Sequence, residues 1–275
     1  MTRVALRSVD VTADAPTILA TSGGLLPGTR TRWELGPLTE QAIDLAGVSG
    51  RAPKVCFLAT ALGDNPMIIS SFYEAAQLRG LAPSHLVTFP MPNVEDVTAH
   101  LLEQDVVWVF GGSVAGLLAM WRLHGFDAAL RTAWQAGVVL TGVSAGSICW
   151  HVGGTTDSFG PDLRAVTNGL AFVPFANGVH YDSEEQRRPL FHQLIADGTL
   201  PAGYATDDGV GVLYRGAEFA GALAEKDDAG AYFVERGPDG SAAETARDVR
   251  RLGLSPWPRR PRASTATRSS CRSRG

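Results

Sequence analysis

The sequence predicts an α/β fold in which a mostly parallel sheet carries helices on both faces. Short apolar runs alternate with longer segments of helical period along the first half of the chain, which is typical of strands joined by crossover helices. The apolar runs end in Gly or Ser, as expected where functional loops follow parallel strands. With 275 residues, of which 45% are hydrophobic, the chain can bury a sizeable core.

Five apolar runs are predicted strands: residues 17–24, 54–60, 85–89, 105–112 and 137–144. Four intervening segments are predicted helices: residues 38–47, 67–80, 94–104 and 114–137. After residue 150 the pattern becomes extended and turn-rich, with a helix at 184–198 and antiparallel strands beyond it. We therefore expect the sheet to be completed by this second part of the chain.

The chain divides into one domain, residues 1–245, and a tail, residues 246–275. The tail contains nine arginines and one aspartate, with Pro and Ser between them, so we expect it to be disordered. A nucleic-acid-binding arm is the alternative, but a tail with a single aromatic residue, Trp257, offers phosphate attraction without base recognition.

Charge and cysteine content exclude several function classes. The net charge of -4 gives no reason to expect a nucleic-acid or membrane partner, and no segment approaches the roughly 20 apolar residues of a membrane span. The three cysteines have neither zinc-site nor disulfide spacing. We expect a cytoplasmic protein with reduced thiols that needs no metal and no cofactor.

The segment "GVSAG" places Ser144 at a bend between a predicted strand and a predicted helix. Such a turn exposes the serine hydroxyl at the start of a helix, where the helix dipole favours developing negative charge. Glycine-flanked serines also form ordinary turns and phosphate cradles. The motif alone therefore leaves two interpretations of Ser144, a nucleophile or a turn residue.

A second glycine segment favours the nucleophile. The preceding strand ends in Gly111 and Gly112, and neighbouring parallel strands end side by side. The N–H groups of Gly112 and Ala145 are therefore expected to converge as an oxyanion hole. Alternatively, the two glycines only let the chain turn into the next helix.

Of the six histidines, His180 is the predicted base, because it follows small residues in a loop after an extended run. A structural turn histidine is the alternative. Asp157, in a polar loop after the Ser144 helix, is the favoured orienting acid, and Asp207 and Asp208 are rivals at a strand end. Only 13 residues separate Ser144 from Asp157, which argues against an ordinary α/β-hydrolase.

With these residues assembled, residues 15–240 resemble peptidase family S51, the group of dipeptidase E (aspartyl dipeptidase) and cyanophycinase. The "GVSAG" elbow is similar to the family's "GWSAG", and "VFGGS", "TTD" and "GVHYD" match its other site segments. The resemblance implies a class I glutamine amidotransferase-like fold, with Ser144 as nucleophile, His180 as base, Asp157 as acid, and Gly112 and Ala145 as oxyanion donors.

The sequence departs from the family pattern at the residues expected to bind substrate. Ser113 stands where the family has an asparagine that shapes the site. Glu184 stands where aspartyl dipeptidases have an arginine that binds the substrate aspartate, and Arg187 or Arg188 is the expected substitute. A carboxylate facing a carboxylate is repulsive, so strict aspartyl specificity is not expected.

The function predicted from these observations is a serine peptidase that hydrolyses short peptides through an acyl-enzyme. Two alternatives remain open: a hydrolase of another amide, ester or β-linked peptide, and a catalytically silent binding module of the same fold. The sequence does not define the peptide substrate, the third member of the triad or the oligomeric state, for which a homodimer remains open.

Overall fold

The computed structural model describes residue 13 and residues 15–253. Within that part the chain forms sixteen strands and seven α-helices. The strands are β1 (Thr17–Thr21), β2 (Leu25–Pro27), β3 (Trp33–Leu35), β4 (Lys54–Leu58), β5 (Ala82–Leu86), β6 (Val106–Val109), β7 (Val139–Val143), β8 (Gly153–Thr156), β9 (Arg164–Val166), β10 (Ala176–Gly178), β11 (Gly203–Thr206), β12 (Val210–Arg215), β13 (Glu218–Ala224), β14 (Ala231–Arg236), β15 (Ala242–Arg247) and β16 (Val249–Arg251). The helices are α1 (Pro37–Leu45), α2 (Pro66–Leu78), α3 (Val97–Leu102), α4 (Val114–His124), α5 (Phe126–Gln135), α6 (Ala145–Ile148) and α7 (Arg187–Ala196).

The larger sheet has eight strands in the order β16-β13-β12-β1-β7-β6-β4-β5. Strands β1, β7, β6, β4 and β5 run parallel to one another, whereas β12 is antiparallel to both β1 and β13. The predicted parallel sheet is therefore present, with an antiparallel extension on one side. The carboxyl ends of its five parallel strands lie along one edge, where sheets of this kind carry their functional loops.

Both faces of the parallel strands are covered, as the near-continuous apolar strand sequences predict. Alternate side chains of β1 enter opposite cores: Ile18 joins the cluster that contains Trp121 of α4, and Leu19 joins the cluster that contains Phe72 of α2. Phe57 of β4 stacks on Phe72 with ring centroids 4.1 Å apart. Burial of such aromatic pairs holds the helices on the sheet.

A second sheet of six strands, in the order β15-β14-β11-β10-β8-β9, forms from the turn-rich part of the chain. Its strands β8, β10 and β11 are parallel to one another, and β14 and β15 continue the sheet in antiparallel fashion. The core cluster of Ile18 and Trp121 also includes Val173 and Tyr204, so it extends from the first sheet to the second.

The predicted tail boundary at residue 246 is wrong for the residues that the structure describes. Strand β15 continues to Arg247, where Arg247 pairs with Ala231, and β16 adds to the larger sheet through Val249 opposite Ala222. The guanidinium of Arg247 lies 4.9 Å from the ring centroid of Phe233. Hydrogen bonds between strands and the contact of Arg247 with Phe233 therefore order this arginine-rich segment, although its composition predicts a disordered tail. Residues 254–275 lie outside the described residues.

One helical prediction also differs from the structure. The segment 114–137 forms two helices, because Gly125 adopts a left-handed conformation with φ of 72° between them. Helix α6 ends at Ile148, because the carbonyls of residues 149–151 accept hydrogen bonds from residues 170–172. None of the helices in the described part of the chain has the length and apolarity needed to cross a bilayer.

His151 is fully buried next to the end of α6. Its Nδ1–H donates to the carbonyl of Ser147 at 2.9 Å, and its Nε2 accepts from the hydroxyl of Tyr214 at 3.0 Å. Burial lowers the pKa of His151 to about 4, against the opposing effect of the Ser147 carbonyl. The neutral ring is therefore the form that the folded protein accommodates.

We expect the folded state to lose stability as the pH falls from about 6.5 to about 4, because the unfolded chain binds a proton at His151 that the folded chain does not. The stabilisation is fully present above the unfolded pKa, and its loss amounts to roughly 3 kcal/mol. The free energy of unfolding, measured with urea between about pH 7 and about pH 4.5, gives this loss. His151→Gln should flatten this dependence relative to the parent. The control His124→Gln should leave it unchanged, and equal slopes in all three proteins would contradict the assignment.

Candidate active site

Ser144 lies at a sharp bend between β7 and α6, with φ of 57° and ψ of -114°. Non-glycine residues rarely adopt positive φ, and bends of this kind carry strain that concentrates at functional sites. The flanking glycines allow the bend. A Cβ on Gly142 would stand 2.5 Å from the carbonyl oxygen of Gly146 and 2.6 Å from that of Val109. Only residues without side chains permit this approach of β7, β6 and α6.

The glycine pair after β6 lies directly against Ser144. A Cβ on Gly111 would come within 3.1 Å of the Ser144 Cβ, and a Cβ on Gly112, whose φ is 131°, would overlap the carbonyl of Ala61. In the described part of the chain, no backbone carbonyl accepts the N–H of Gly112. Ala145 is the first residue of α6, so its N–H has no intrahelical acceptor. Both predicted donors are thus available beside the serine.

His180 follows β10 and has a left-handed backbone with φ of 53°. Its N–H donates to the hydroxyl of Ser22 at 3.2 Å, and that hydroxyl also pairs with the Thr206 hydroxyl at 2.7 Å. The N–H of Ser144 donates to the carbonyl of Thr21 at 3.1 Å. Consecutive residues at the end of β1 therefore anchor the backbones of both predicted catalytic residues, an arrangement that the sequence did not indicate.

The carboxylate paired with His180 is that of Asp208. The Nδ1–H of His180 donates to Asp208 Oδ1 at 2.6 Å. Burial acts to raise the pKa of Asp208, but the hydrogen bond and charge of His180, together with Ser183 and Lys226, hold the pKa below its ordinary value. The backbone N–H of Asp208 donates to Asp182 at 2.8 Å. An ionised carboxylate on Nδ1 leaves Nε2 as the proton-accepting atom of the ring.

The prediction that Asp157 orients the histidine is corrected by this geometry. Asp157 is exposed at the end of β8, where it lines a surface pocket, and Asp208 occupies the position on His180 Nδ1. Strands β8 and β11 both pair with β10, the strand that precedes His180, so strand order alone favours neither Asp157 nor Asp208. The hydrogen bond to His180 Nδ1 therefore identifies Asp208 as the acid that meets the base.

Asp207, another candidate for the orienting acid, points away from His180 into the interior. Its Oδ2 accepts from the Gly230 N–H at 2.8 Å and from the Tyr232 hydroxyl at 3.2 Å. Burial raises the pKa of Asp207 above its ordinary value, although these hydrogen bonds partly oppose the effect. Adjacent residues after a strand face opposite sides, so one of the two aspartates reaches the histidine and the other does not.

The predicted substrate residue Ser113 serves as the N-cap of α4, because its hydroxyl oxygen accepts from the Gly116 N–H at 3.1 Å. The predicted substrate residue Arg187 is also committed elsewhere. Its side chain is 3% exposed and donates to the Thr155 carbonyl and, at 2.7 Å, to Glu184. A buried guanidinium with these partners is a structural link between α7 and β8, so Arg187 is not positioned as a substitute substrate arginine.

A pocket of about 540 Å³ lies between the loop after β8 and the turn after His180. Its lining residues are Asp157, Gly160, Pro161, Leu163, Glu184, Glu185 and Gln186. The N–H of Glu184 donates to the carbonyl of His180 at 3.1 Å, so the pocket wall begins at the histidine turn. Three carboxylates thus line this pocket.

The two cysteines in the described residues are free and buried. Burial raises the pKa of the Cys56 thiol to about 12 and that of Cys149 well above its ordinary value, so both remain protonated and unreactive. Within the same residues, no group of three or more His, Cys, Asp or Glu side chains is arranged to hold a metal ion.

Comparisons with known proteins relate the sequence to peptidases. Residues 18–221 match peptidase family S51. The chain is 42% identical over 182 residues to the uncharacterised peptidase YgaJ of Bacillus subtilis strain 168, which covers 66% of this chain and 78% of that protein.

Solved structures show the same fold. A peptidase from an acI-B1 actinobacterium superposes with a TM-score of 0.60 at 14% identity, covering 85% of this chain and 95% of the other. A protein assigned as peptidase E from Listeria monocytogenes EGD-e superposes with a TM-score of 0.52 at 17% identity, covering 74% and 96%. The mixed α/β architecture is thus one that peptidases use.

Proposed function

This chain belongs to peptidase family S51, and on that premise we propose that it is a serine peptidase that hydrolyses short peptides through Ser144, His180 and Asp208. One observation carries the proposal. The strained serine bend and the histidine with its carboxylate are both anchored at the end of β1, by Thr21 and Ser22. The amidotransferase-like classification of the fold is part of the same proposal.

In the proposed reaction Ser144 Oγ attacks the scissile carbonyl carbon as His180 Nε2 takes the hydroxyl proton. Asp208 keeps Nδ1 protonated and stabilises the imidazolium. The N–H groups of Gly112 and Ala145 bind the oxyanion that forms. His180 then protonates the departing amine, and a water molecule, deprotonated by the same imidazole, hydrolyses the acyl-enzyme and restores the serine.

The proposed substrates are short peptides without a requirement for aspartate. Asp157, Glu184 and Glu185 line a pocket that is joined to the His180 carbonyl through the Glu184 N–H, and an acidic substrate side chain there would meet like charges. The buried cation Arg187 is already paired with Glu184 at 2.7 Å. At a partly exposed site this repulsion is worth about 1 kcal/mol, or roughly fivefold in rate.

A panel of dipeptides and tripeptides with acidic, neutral and basic side chains tests the proposed function. We expect neutral and basic peptides to be cleaved about fivefold faster than aspartyl peptides, and Glu184→Gln to narrow that difference because it removes one charge while it can still accept from Arg187. Glu74→Gln, at an exposed position of α2, is the matched control. A preference for aspartyl peptides would contradict the proposed specificity, and hydrolysis of esters without peptides would favour another hydrolase.

A further inference from the structure

Glu244 of β15, the centre of a polar cluster, lies outside residues 18–221, the range that matches the family. Glu244 accepts hydrogen bonds from the Tyr181 hydroxyl at 2.9 Å, from His192 Nε2 at 2.9 Å and from Arg188, whose Nε is 3.2 Å away. Its side chain is 17% exposed. One carboxylate thus joins the last strand of the second sheet to α7 and to the segment after His180.

Two aromatic rings enclose the guanidinium of Arg188. Its central carbon lies 5.0 Å from the ring centroid of Tyr181 and 4.8 Å from that of Tyr232, within the range of cation–π attraction. The two rings are themselves 5.6 Å apart. The Tyr232 hydroxyl donates to Asp207 at 3.2 Å. The cluster therefore continues from Glu244 through Arg188 and Tyr232 to Asp207.

Both ends of this cluster are sequence neighbours of the proposed catalytic pair. Tyr181 directly follows His180, and its ring is buried against Phe191 at 6.1 Å. Asp207 directly precedes Asp208. His180 holds a left-handed backbone conformation, which costs about 1 kcal/mol or more and persists only where the surroundings enforce it. Fixing the side chain of the next residue is a direct way to enforce it.

We propose that Glu244 is a positioning residue, which holds Tyr181 and Arg188 so that His180 and Asp208 keep their 2.6 Å contact. The strand that bears Glu244 is then part of the working enzyme. The kinetic part of this proposal rests on the proposed function. The structural part, the geometry of the histidine–aspartate pair, does not.

Glu244→Ala should lower kcat by about 10- to 100-fold while KM changes by less than about twofold, because small misplacements of a base slow the chemical step. Glu244→Gln should recover part of the loss, since its amide oxygen still accepts from the Tyr181 hydroxyl. Glu235→Ala, at an exposed position of the neighbouring strand β14, should retain the parent kcat. Parent-like kcat in folded Glu244→Ala would overturn the proposal.

Proton NMR tests the same positioning without substrate. The Nδ1 proton shared by His180 and Asp208 should give a low-field resonance, assigned by its absence in His180→Gln. We expect it to weaken or shift in Glu244→Ala and to persist in Glu235→Ala. An unchanged resonance in Glu244→Ala would contradict the proposal. If that variant does not fold by circular dichroism, Tyr181→Phe, which removes one hydroxyl, decides in the same way.

The two proposals fail differently in these experiments. Hydrolysis that survives in Ser144→Ala would overturn the proposed function and would leave the NMR comparison as the test of Glu244. Hydrolysis that disappears in Ser144→Ala but is undiminished in folded Glu244→Ala would overturn the role of Glu244 alone.

Discussion

Replacing Ser144 with alanine is expected to lower kcat/KM for peptide hydrolysis by about 10⁴- to 10⁶-fold. The substitution removes the only atom that would form the acyl-enzyme in the proposed reaction, while the oxyanion donors and the bend itself remain. Rates for the best peptide of the panel, measured with the parent and with Ser144→Ala, check this expectation. Ser70→Ala, at an exposed position of α2, is the matched control and should match the parent.

A Ser144→Ala protein that cleaves peptides as fast as the parent would exclude the serine mechanism. If the parent itself hydrolyses no peptide or ester and a serine-directed fluorophosphonate fails to label Ser144, the silent binding module becomes the better explanation. Labelling of the parent, absent in Ser144→Ala, would count against that alternative even before a natural substrate is found.

Asp208→Asn is expected to lower kcat by about 10⁴-fold, whereas Asp157→Asn should stay within about twofold of the parent. The asparagine amide can donate to the histidine Nδ1, which favours the tautomer whose Nε2 carries the proton and cannot accept one. It also removes the charge that stabilises the imidazolium. Steady-state rates of both variants on the same peptide, with circular dichroism to verify folding, provide the measurement.

The reverse result would be a large loss of kcat in Asp157→Asn and a parent-like kcat in Asp208→Asn. It would restore Asp157, the acid predicted from the sequence. The loop after β8 would then have to move to His180 in the working enzyme. If both variants lose activity, the pH dependence of kcat distinguishes the roles of the two residues. A member of the pair with His180 should alter the pH dependence of kcat, whereas a substrate-pocket residue should alter KM.

Local sequence signals account for the parts of the molecule that were predicted well. The parallel strands follow from uninterrupted apolar runs, and the bend at Ser144 follows from the spacing of Gly142 and Gly146 around it. These features depend on residues within a few positions of one another, so the sequence contains them directly.

Long-range pairing accounts for the parts that were not predicted. Asp208 meets His180 across 28 positions of the sequence, and strand order alone does not favour it over Asp157, because β8 and β11 both pair with β10. Arg187 is buried by Thr155, 32 residues away. Arginine-rich residues after 245 form strands because Ala222 and Ala231 lie opposite them. The composition of a segment does not determine whether it forms a strand, because that depends on the strands that pair with it.

The position of β1 has a consequence for biosynthesis. This early strand sits between β7 and β12 and pairs Thr21 with Val143 on one side and with Gly211 on the other. A nascent chain on the ribosome therefore keeps one edge of β1 unpaired at Thr21 until Gly211 has been made. On the proposed function, an unfinished polypeptide cannot cleave its neighbours, since its hydrolytic machinery assembles only when translation of the fold is almost complete.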